Sequence, residues 1–277
     1  MSDVRISRLR EESRVGRALS SKWILPTICV AVGVYMLAPL VVVVVGSFSS
    51  DSYSVFPPRG LSTRWYSAFF QSEQFVQALV VSLKLGLCAT ALALALGVPV
   101  AVAMARIGGR ASDFGRGIAL LPLMVPSIVI GIAVLIFFSR LNLAGSFLGL
   151  VLAHSVLVTP FIVIIVHSGL SSIDRTLEEA ARTLGAGPTV AFRTITLPLI
   201  KGSIVAASIF AFVTSFDELV VSLFLAGPNS TPLPVMMMQY LEYTSDPTIA
   251  AISTVVMVGS AIAVVAVERL VGFTRIM

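Results

Sequence analysis

Two adjacent carboxylates, Asp217 and Glu218, lie in a long stretch that is otherwise uncharged between Lys201 and Glu242. Ionisable groups inside a membrane-length apolar segment are costly, and they usually face an interior cavity. Neighbouring residues of a helix point about 100° apart, so the two side chains cannot face the same way. Thr214 lies one turn earlier. The pattern predicts a polar lumen-facing surface, with a structural carboxylate pair at a subunit contact or at the outer interface as the alternative.

The sequence contains none of the common motifs of a catalytic or nucleotide-binding site. It has no GxxxxGK[ST] phosphate loop, no HExxH and no GxSxG. Cys29 and Cys88 lie in apolar runs without partners for a metal or a disulfide, so we expect them to pack. For His154 and His167 we expect structural hydrogen bonds rather than a proton relay, since neither has a carboxylate nearby in the sequence. We therefore predict no enzyme, no cofactor and no metal.

A charged segment, residues 177–200, interrupts the apolar sequence. Ser171, with Asp174 three residues later, matches a capping box that would start a helix of about three turns. Gly185 or Gly187 would end that helix in a left-handed turn, and Pro188 suits the first turn of a second helix. The segment therefore predicts two short helices joined by a turn.

The first of these helices has an apolar face and a charged face. Residues at helical spacing supply the apolar face: Ile173, Leu177, Ala180 or Ala181, and Leu184. The charged face predicts two ion pairs four residues apart, Arg175 with Glu179 and Glu178 with Arg182. Such a hairpin can rest on a lipid surface or contact a partner protein.

The elements around these residues are dictated by composition. Of the 277 residues, 57% are hydrophobic and 12% charged, whereas a soluble domain carries about 25% charged residues. Mean hydropathy is +0.98. About 20 apolar residues span a bilayer as a helix, and these runs lack the alternation of a membrane barrel. We predict an all-α fold with six transmembrane helices, at about residues 24–46, 76–105, 117–138, 147–168, 203–225 and 248–268. Prolines inside them predict kinks: Pro99, Pro122, Pro126 and Pro160.

Basic residues are concentrated before the first predicted span and in alternate loops after it. The positive-inside rule places these segments, and both termini, in the cytoplasm. We predict a cytoplasmic lead at residues 1–23, a six-helix domain at 24–268 and a cytoplasmic tail at 269–277. The net charge of +5 follows from this topology. The basic residues are scattered and not interleaved with aromatics, so nucleic acid is not an expected partner.

The spacing within the charged segment resembles the EAA loop of permease subunits of binding-protein-dependent ABC importers. The pattern is Glu179-Ala180-Ala181, three residues, Gly185, nine residues, Ile195, one residue and Leu197-Pro198. The stretches LPLMVPSIVIGIAVL at 121–135 and FAFVTSFDELVVSLFLAGP at 210–228 resemble the spermidine/putrescine branch of these permeases. Together the similar stretches cover most of residues 80–265.

This resemblance implies a type I importer permease in the bacterial cytoplasmic membrane, with its coupling loop at about residues 171–198. It implies two ATPase subunits that bind the ATP, a second and distinct permease subunit, and an external substrate-binding protein. The residues expected to couple to the ATPase are Glu178, Glu179, Ala180, Ala181, Gly185, Leu197 and Pro198.

The resemblance also implies a polyamine as the transported solute. Carboxylates in the pathway would attract its ammonium groups, and the candidate path residues are Thr214, Asp217, Glu218, Tyr240 and Glu242. Another small amine, an opine or an aminophosphonate is the alternative within this family. A secondary transporter is the alternative outside it.

Overall fold

The computed structural model describes residues 24–174 and 176–271, and these residues are almost entirely helical. The β pairing that occurs among them is one isolated bridge between Ser49 and Leu61, so the all-α prediction is confirmed. The predicted cytoplasmic lead and residues 272–277 of the predicted tail lie outside the described residues. The helices are α1 Ile24–Ser47, α2 Arg64–Gln71, α3 Glu73–Ile107, α4 Gly109–Met124, α5 Ser127–Arg140, α6 Phe147–Ser171, α7 Thr176–Thr183, α8 Pro188–Leu199, α9 Lys201–Asp217, α10 Val220–Leu225, α11 Leu233–Tyr243 and α12 Thr248–Val271.

The described residues divide into two compact units, one of residues 24–67 and 246–254, the other of residues 68–245 and 255–271. In the first unit, the segment after α1 folds back on the end of that helix. The hydroxyls of Ser47 and Tyr66 lie 2.6 Å apart, and Trp65 Nε1 donates to the carbonyl of Ser49 at 2.9 Å. These contacts hold the start of α2 beside the end of α1.

In the second unit, α3, α6 and α9 pack together. Alanines on α3 and α9 face larger aliphatic side chains of α6, which lets the three helices approach closely. One buried cluster consists of Ala93, Ala101, Val158, Ile162, Val166, Ile200, Ala207 and Ala211. Small residues at helix contacts are typical of membrane proteins, because close packing rather than hydrophobic burial drives helix association in lipid.

Within residues 24–174 and 176–271, four helices are long and apolar enough to cross a membrane, and two bent helix pairs raise the number of candidate spans to six. The predicted third span is not one helix, because α4 and α5 meet at 92°. Val125 is extended there, with φ −92° and ψ 131°, as the residue before a proline prefers, and Pro126 is the N-cap residue of α5. The other prolines predicted to kink spans lie inside helices: Pro99 in α3, Pro122 in α4 and Pro160 in α6.

The predicted fifth span, residues 203–225, is also interrupted. Helix α9 ends at Asp217 and the short helix α10 begins at Val220. At its other end, α9 follows α8 with a bend of 66°. Helix α5 is the second half of the interrupted third span, and α10 is the second half of the interrupted fifth span. These two helices pack against each other.

Substituting Gly97 by valine should weaken the packing of α3 on α6. A β-carbon at Gly97 would lie 2.9 Å from Ile162 Cγ2, closer than side chains normally approach. We expect a loss of about 1–3 kcal/mol, the usual cost of overpacking, visible as a lower Tm in detergent. Gly259→Val is the matched control, since nothing lies within 4 Å of that position. Equal Tm values for the two variants would contradict the packing described.

Candidate functional site

Helix α7 is the first arm of a helical hairpin, defined here as α7, α8 and the turn between them. An oxygen of Asp174 accepts a hydrogen bond from the backbone N–H of Thr176 at 2.9 Å, so Asp174 caps the start of the helix. This bond holds the pKa of the exposed Asp174 carboxyl below its ordinary value. The predicted capping box is wrong at Ser171, which is the last residue of α6 and donates its hydroxyl to the carbonyl of His167.

Helix α7 stops at a left-handed glycine. Gly185 has a φ of +91°, its N–H donates to the Arg182 carbonyl at 3.0 Å, and the N–H of Ala186 donates to the Ala181 carbonyl at 3.0 Å. These two bonds form a Schellman motif. Of the two glycines predicted to end the first helix, Gly185 does so, and the prediction that Pro188 begins the second is confirmed. The helix has 8 residues and is shorter than the three turns predicted.

The second arm, α8, contains a π-helical turn at Phe192–Thr196. The N–H of Leu197 donates to the carbonyl of Phe192, five residues earlier. In a regular helix the ring of Pro198 would clash with the carbonyl four residues earlier, and the wider π turn accommodates it. Leu197 and Pro198 are both exposed.

Glu178 links the hairpin to α3. Its Oε1 accepts a hydrogen bond from Arg106 Nη2 at 2.9 Å, and its Oε2 accepts one from Thr196 Oγ1 at 3.3 Å. The Arg106 guanidinium also lies 5.8 Å from the centroid of the Phe192 ring. One carboxylate therefore joins the end of α3, the first arm and the π turn of the second arm.

This arrangement replaces one of the predicted ion pairs. Glu178 pairs with Arg106, 72 residues away in sequence, and not with Arg182 four residues on. The predicted pair of Arg175 with Glu179 involves a residue outside the described ones. Sequence reasoning missed Arg106, although its position at the end of a predicted span placed it on the same side of the membrane as the hairpin.

Helix length explains how Arg106 reaches the hairpin. With 35 residues, α3 is about 52 Å long at 1.5 Å per residue, well beyond the roughly 30 Å of the hydrocarbon core. Its last turn therefore extends past the membrane. The contact with Glu178 requires the loops after α3 and α6 to lie at the same end of the helix bundle, as alternating spans predict.

The rest of the α7 surface is open. Glu179 and Ala180 are exposed, and Leu177 and Leu184 are 48% and 89% exposed. Of the predicted apolar face, Ile173 packs against the core, whereas these two leucines do not form part of it. A cavity of about 480 Å³ adjoins the hairpin. An open surface that combines apolar, small and acidic side chains can bind a partner protein.

The carboxylates predicted within the fifth span lie at its interruption. Glu218 Oε1 accepts a hydrogen bond from the backbone N–H of Val221 at 3.0 Å, so Glu218 satisfies one amide in the first turn of α10. Asp217 is exposed, while Glu218 and Thr214 are half-buried. Irregular backbone at membrane depth is tolerated where it is buried in protein or lines a water-filled cavity. The interruption with its exposed carboxylate is therefore a candidate lining of such a cavity.

A buried histidine contacts both helices that flank the interruption. His154 Nδ1 lies 2.9 Å from Ser215 Oγ, and His154 Nε2 lies 2.9 Å from Ser222 Oγ. The expectation of a hydrogen-bonded structural histidine is confirmed. The two serine partners were not predicted, although a spacing of seven residues would place them on one face of an uninterrupted helix.

The remaining predicted path residues lie on α11. Tyr240 packs edge-on against Phe75 of α3, with ring centroids 5.2 Å apart, and Glu242 is exposed. This helix follows α10 in the chain and is anchored to α3, because the N–H of Leu233 donates to Ser82 Oγ at 2.8 Å.

Residues 97–275 match the sequence family described as binding-protein-dependent transport system inner membrane component. The chain is 31% identical over 236 residues to the spermidine/putrescine transport system permease protein PotC of Escherichia coli strain K12, which covers 85% of this chain and 89% of PotC. It is 33% identical over 230 residues to the putrescine transport system permease protein PotI of the same strain, with 80% of this chain and 82% of PotI covered.

The fold also resembles solved structures. A bacterial ABC transporter involved in the import of the acidic polysaccharide alginate superposes with a TM-score of 0.69 at 18% identity, covering 92% of this chain and 97% of that chain. At this identity the likeness concerns the fold.

The contact of Arg106 with Glu178 should stabilise α7 modestly. The two side chains are 49% and 29% exposed, and an ion pair of this kind contributes about 0.5–1 kcal/mol. Hydrogen exchange of the α7 amides in Arg106→Ala, Glu178→Ala and the double variant measures this coupling. A second double-mutant cycle, with Glu179→Ala in place of Glu178→Ala, serves as control, and we expect a coupling free energy below about 0.3 kcal/mol there. Equal coupling in both cycles would contradict a specific contact.

Proposed function

The chain belongs to the family of binding-protein-dependent transport system inner membrane components, and we propose that it forms half of an ATP-driven import pathway for polyamines. Family and fold make it a multi-pass permease subunit of an ABC importer, as the resemblance predicted. Family membership also weighs against the secondary transporter. The coupling residues, the orientation, the subunit composition and the solute are parts of the proposal.

The hairpin is the surface on which an ATPase subunit docks. The observation that carries this proposal is the EAA pattern on an exposed, well-capped helix. Ala180 is small enough for a partner to approach closely, and Glu179 adds a charged contact. Gly185 ends the helix sharply, and Leu197 and Pro198 on the second arm are exposed beside the π turn. Glu178 has a different role, since its carboxylate is used within the chain.

Two ATPase subunits, a distinct second permease subunit and an external binding protein complete the proposed assembly. ATP closes the ATPase dimer, and the hairpin moves with the subunit docked on it. Through Glu178 and Arg106 this motion reaches α3, and through Ile200, which is fully buried between α8 and α9, it reaches the interrupted span. Rigid-body motion of packed helices is the usual form of such a transition. Basic residues near the hairpin, Arg106 and Arg182 among them, support a cytoplasmic position.

The solute passes beside Asp217 in this proposal. An exposed carboxylate at a backbone interruption offers charge and hydrogen-bond acceptors to a cation that has lost part of its water. The similarity to PotC and PotI supports a polyamine as that cation. Glu242 and Tyr240 on α11 would contribute to the approach of the solute or to the contact with the external binding protein.

Placing tryptophan at Ala180 should prevent docking of the ATPase. A bulky side chain in a closely packed interface costs about 2 kcal/mol or more, which lowers affinity about thirtyfold or more. Co-purification of the ATPase subunit with the permease measures the effect. Ala111→Trp, at another exposed alanine in the first turn of α4, is the matched control. Retention of the ATPase by Ala180→Trp at the control level would refute docking at α7.

Neutralising Asp217 as asparagine should reduce polyamine uptake about tenfold in reconstituted vesicles. Loss of one favourable charge contact in a partly shielded site costs about 1–2 kcal/mol. ATP hydrolysis in the absence of solute should stay unchanged, because Asp217 lies far along α9 from the hairpin. Asp113→Asn, at an exposed carboxylate of α4, is the control. Unchanged uptake by Asp217→Asn would remove Asp217 from the pathway.

Calorimetry with the cognate external binding protein identifies the solute. We expect spermidine or putrescine to bind, and a neutral sugar not to. Binding of an opine or an aminophosphonate instead, with no polyamine bound, would keep the importer and overturn its proposed solute.

A further inference from the structure

His154 is a fully buried histidine to which the proposed transport cycle assigns no role. Its side chain is 0% exposed, and its two partners Ser215 and Ser222 are 2% and 0% exposed. Both ring nitrogens lie at hydrogen-bond distance from a hydroxyl, 2.9 Å in each case. We call these three residues the histidine clamp.

The clamp spans the interruption of the fifth span. Ser215 belongs to the last turn of α9, Ser222 to α10, and His154 to α6. The non-helical residues Glu218 and Leu219 lie between the two serines. No backbone ladder connects α9 to α10 across this gap, so side chains must define how the two helices meet.

The clamp can define how α9 and α10 meet, because its hydrogen bonds are directional and its three side chains are buried away from water. A buried polar group that loses its partner costs free energy, so the state with both ring nitrogens occupied is favoured over states in which α10 turns away from α9. The hydrogen bond from the Val221 N–H to Glu218 Oε1, at 3.0 Å, adds a second constraint at the same place. Apolar neighbours complete the fit: Leu150, Val151 and Leu157 of α6 pack in one cluster with Val221 and Leu225 of α10.

We propose that His154 is a positioning residue of the transport pathway, which fixes the position of α10 relative to α9 so that Asp217 faces the passing cation. This inference rests on the proposed function, because it assigns a purpose to Asp217. His154 does not contact the solute, and it acts through the two serines.

A double-mutant cycle separates positioning from simple support of the fold. We expect His154→Leu and Ser222→Ala each to lower polyamine uptake about tenfold in the otherwise unchanged complex. In the Asp217→Asn background the same substitutions should lower it less than about twofold, since the carboxylate that they misplace is already neutral. An equal factor in both backgrounds means that the clamp only supports the fold, and this overturns the inference.

Thiol labelling gives a readout that does not depend on uptake. With Cys29 and Cys88 replaced by serine, Leu219→Cys places a thiol in the interruption. We expect His154→Leu, and separately Ser215→Ala, to change its rate of reaction with a charged, impermeant methanethiosulfonate by about threefold or more. Ser208→Ala on α9 is the matched control, because its hydroxyl bonds to the carbonyl of Ile204 and not to His154. Equal labelling rates in all variants overturn the inference.

The two proposals fail in different ways. If Asp217→Asn alone leaves uptake unchanged, the cation pathway fails, and with it the role of the clamp in positioning. The other outcome is that Asp217→Asn lowers uptake, while the clamp substitutions lower uptake equally in both backgrounds and leave the labelling rate unchanged. The cation pathway then stands and the inference about His154 falls. Ser215→Ala and Ser222→Ala keep one of the two ring contacts, so they provide the test if His154→Leu does not assemble.

Discussion

A backbone amide or carbonyl in hydrocarbon must find a partner within the protein, and the architecture of this chain follows from that requirement. The apolar runs satisfy it as continuous helices, of which α3 and α6 are the longest in the second unit. Interruptions are then costly, and each has an identifiable remedy. Pro126 has no N–H to satisfy at the start of α5, and Glu218 supplies an acceptor to the first turn of α10. The break in the helix after Asp217 is therefore stabilised by a specific hydrogen bond within the span.

The need to satisfy backbone hydrogen-bonding groups also explains the hairpin at the other end of α9. Outside the bilayer, a helix of 8 residues is too short to be stable by itself. Asp174 and Gly185 satisfy its ends, and Glu178 fastens it to α3 and to the π turn. These contacts join the hairpin to α3 and leave its outer face exposed. The buried Ile200 lies between the hairpin and α9, the helix that ends at the interruption with its carboxylates.

The features that could be predicted are those governed by local chemistry. Composition predicts helices that can span the membrane, Gly185 and Pro188 predict the turn of the hairpin, and the EAA spacing predicts the family. Features that depend on tertiary contacts could not be predicted. The partner of Glu178 lies 72 residues away. The sequence predicts both carboxylates inside a continuous helix, because nothing local signals that the helix ends at Asp217 and that Glu218 bonds to the first turn of a new one. The choice of Asp174 over Ser171 as cap depended on where α6 ends, which its packing decides.

The proposed docking of an ATPase subunit on the hairpin, at the cytoplasmic side of the membrane, is the central claim. Site-directed cross-linking from a cysteine at Glu179, in membrane vesicles of known orientation, tests this directly. We predict a cross-link to the ATPase subunit and modification by an impermeant thiol reagent from the cytoplasmic side only. A cross-link to the external binding protein, or modification from the outside, would contradict the account.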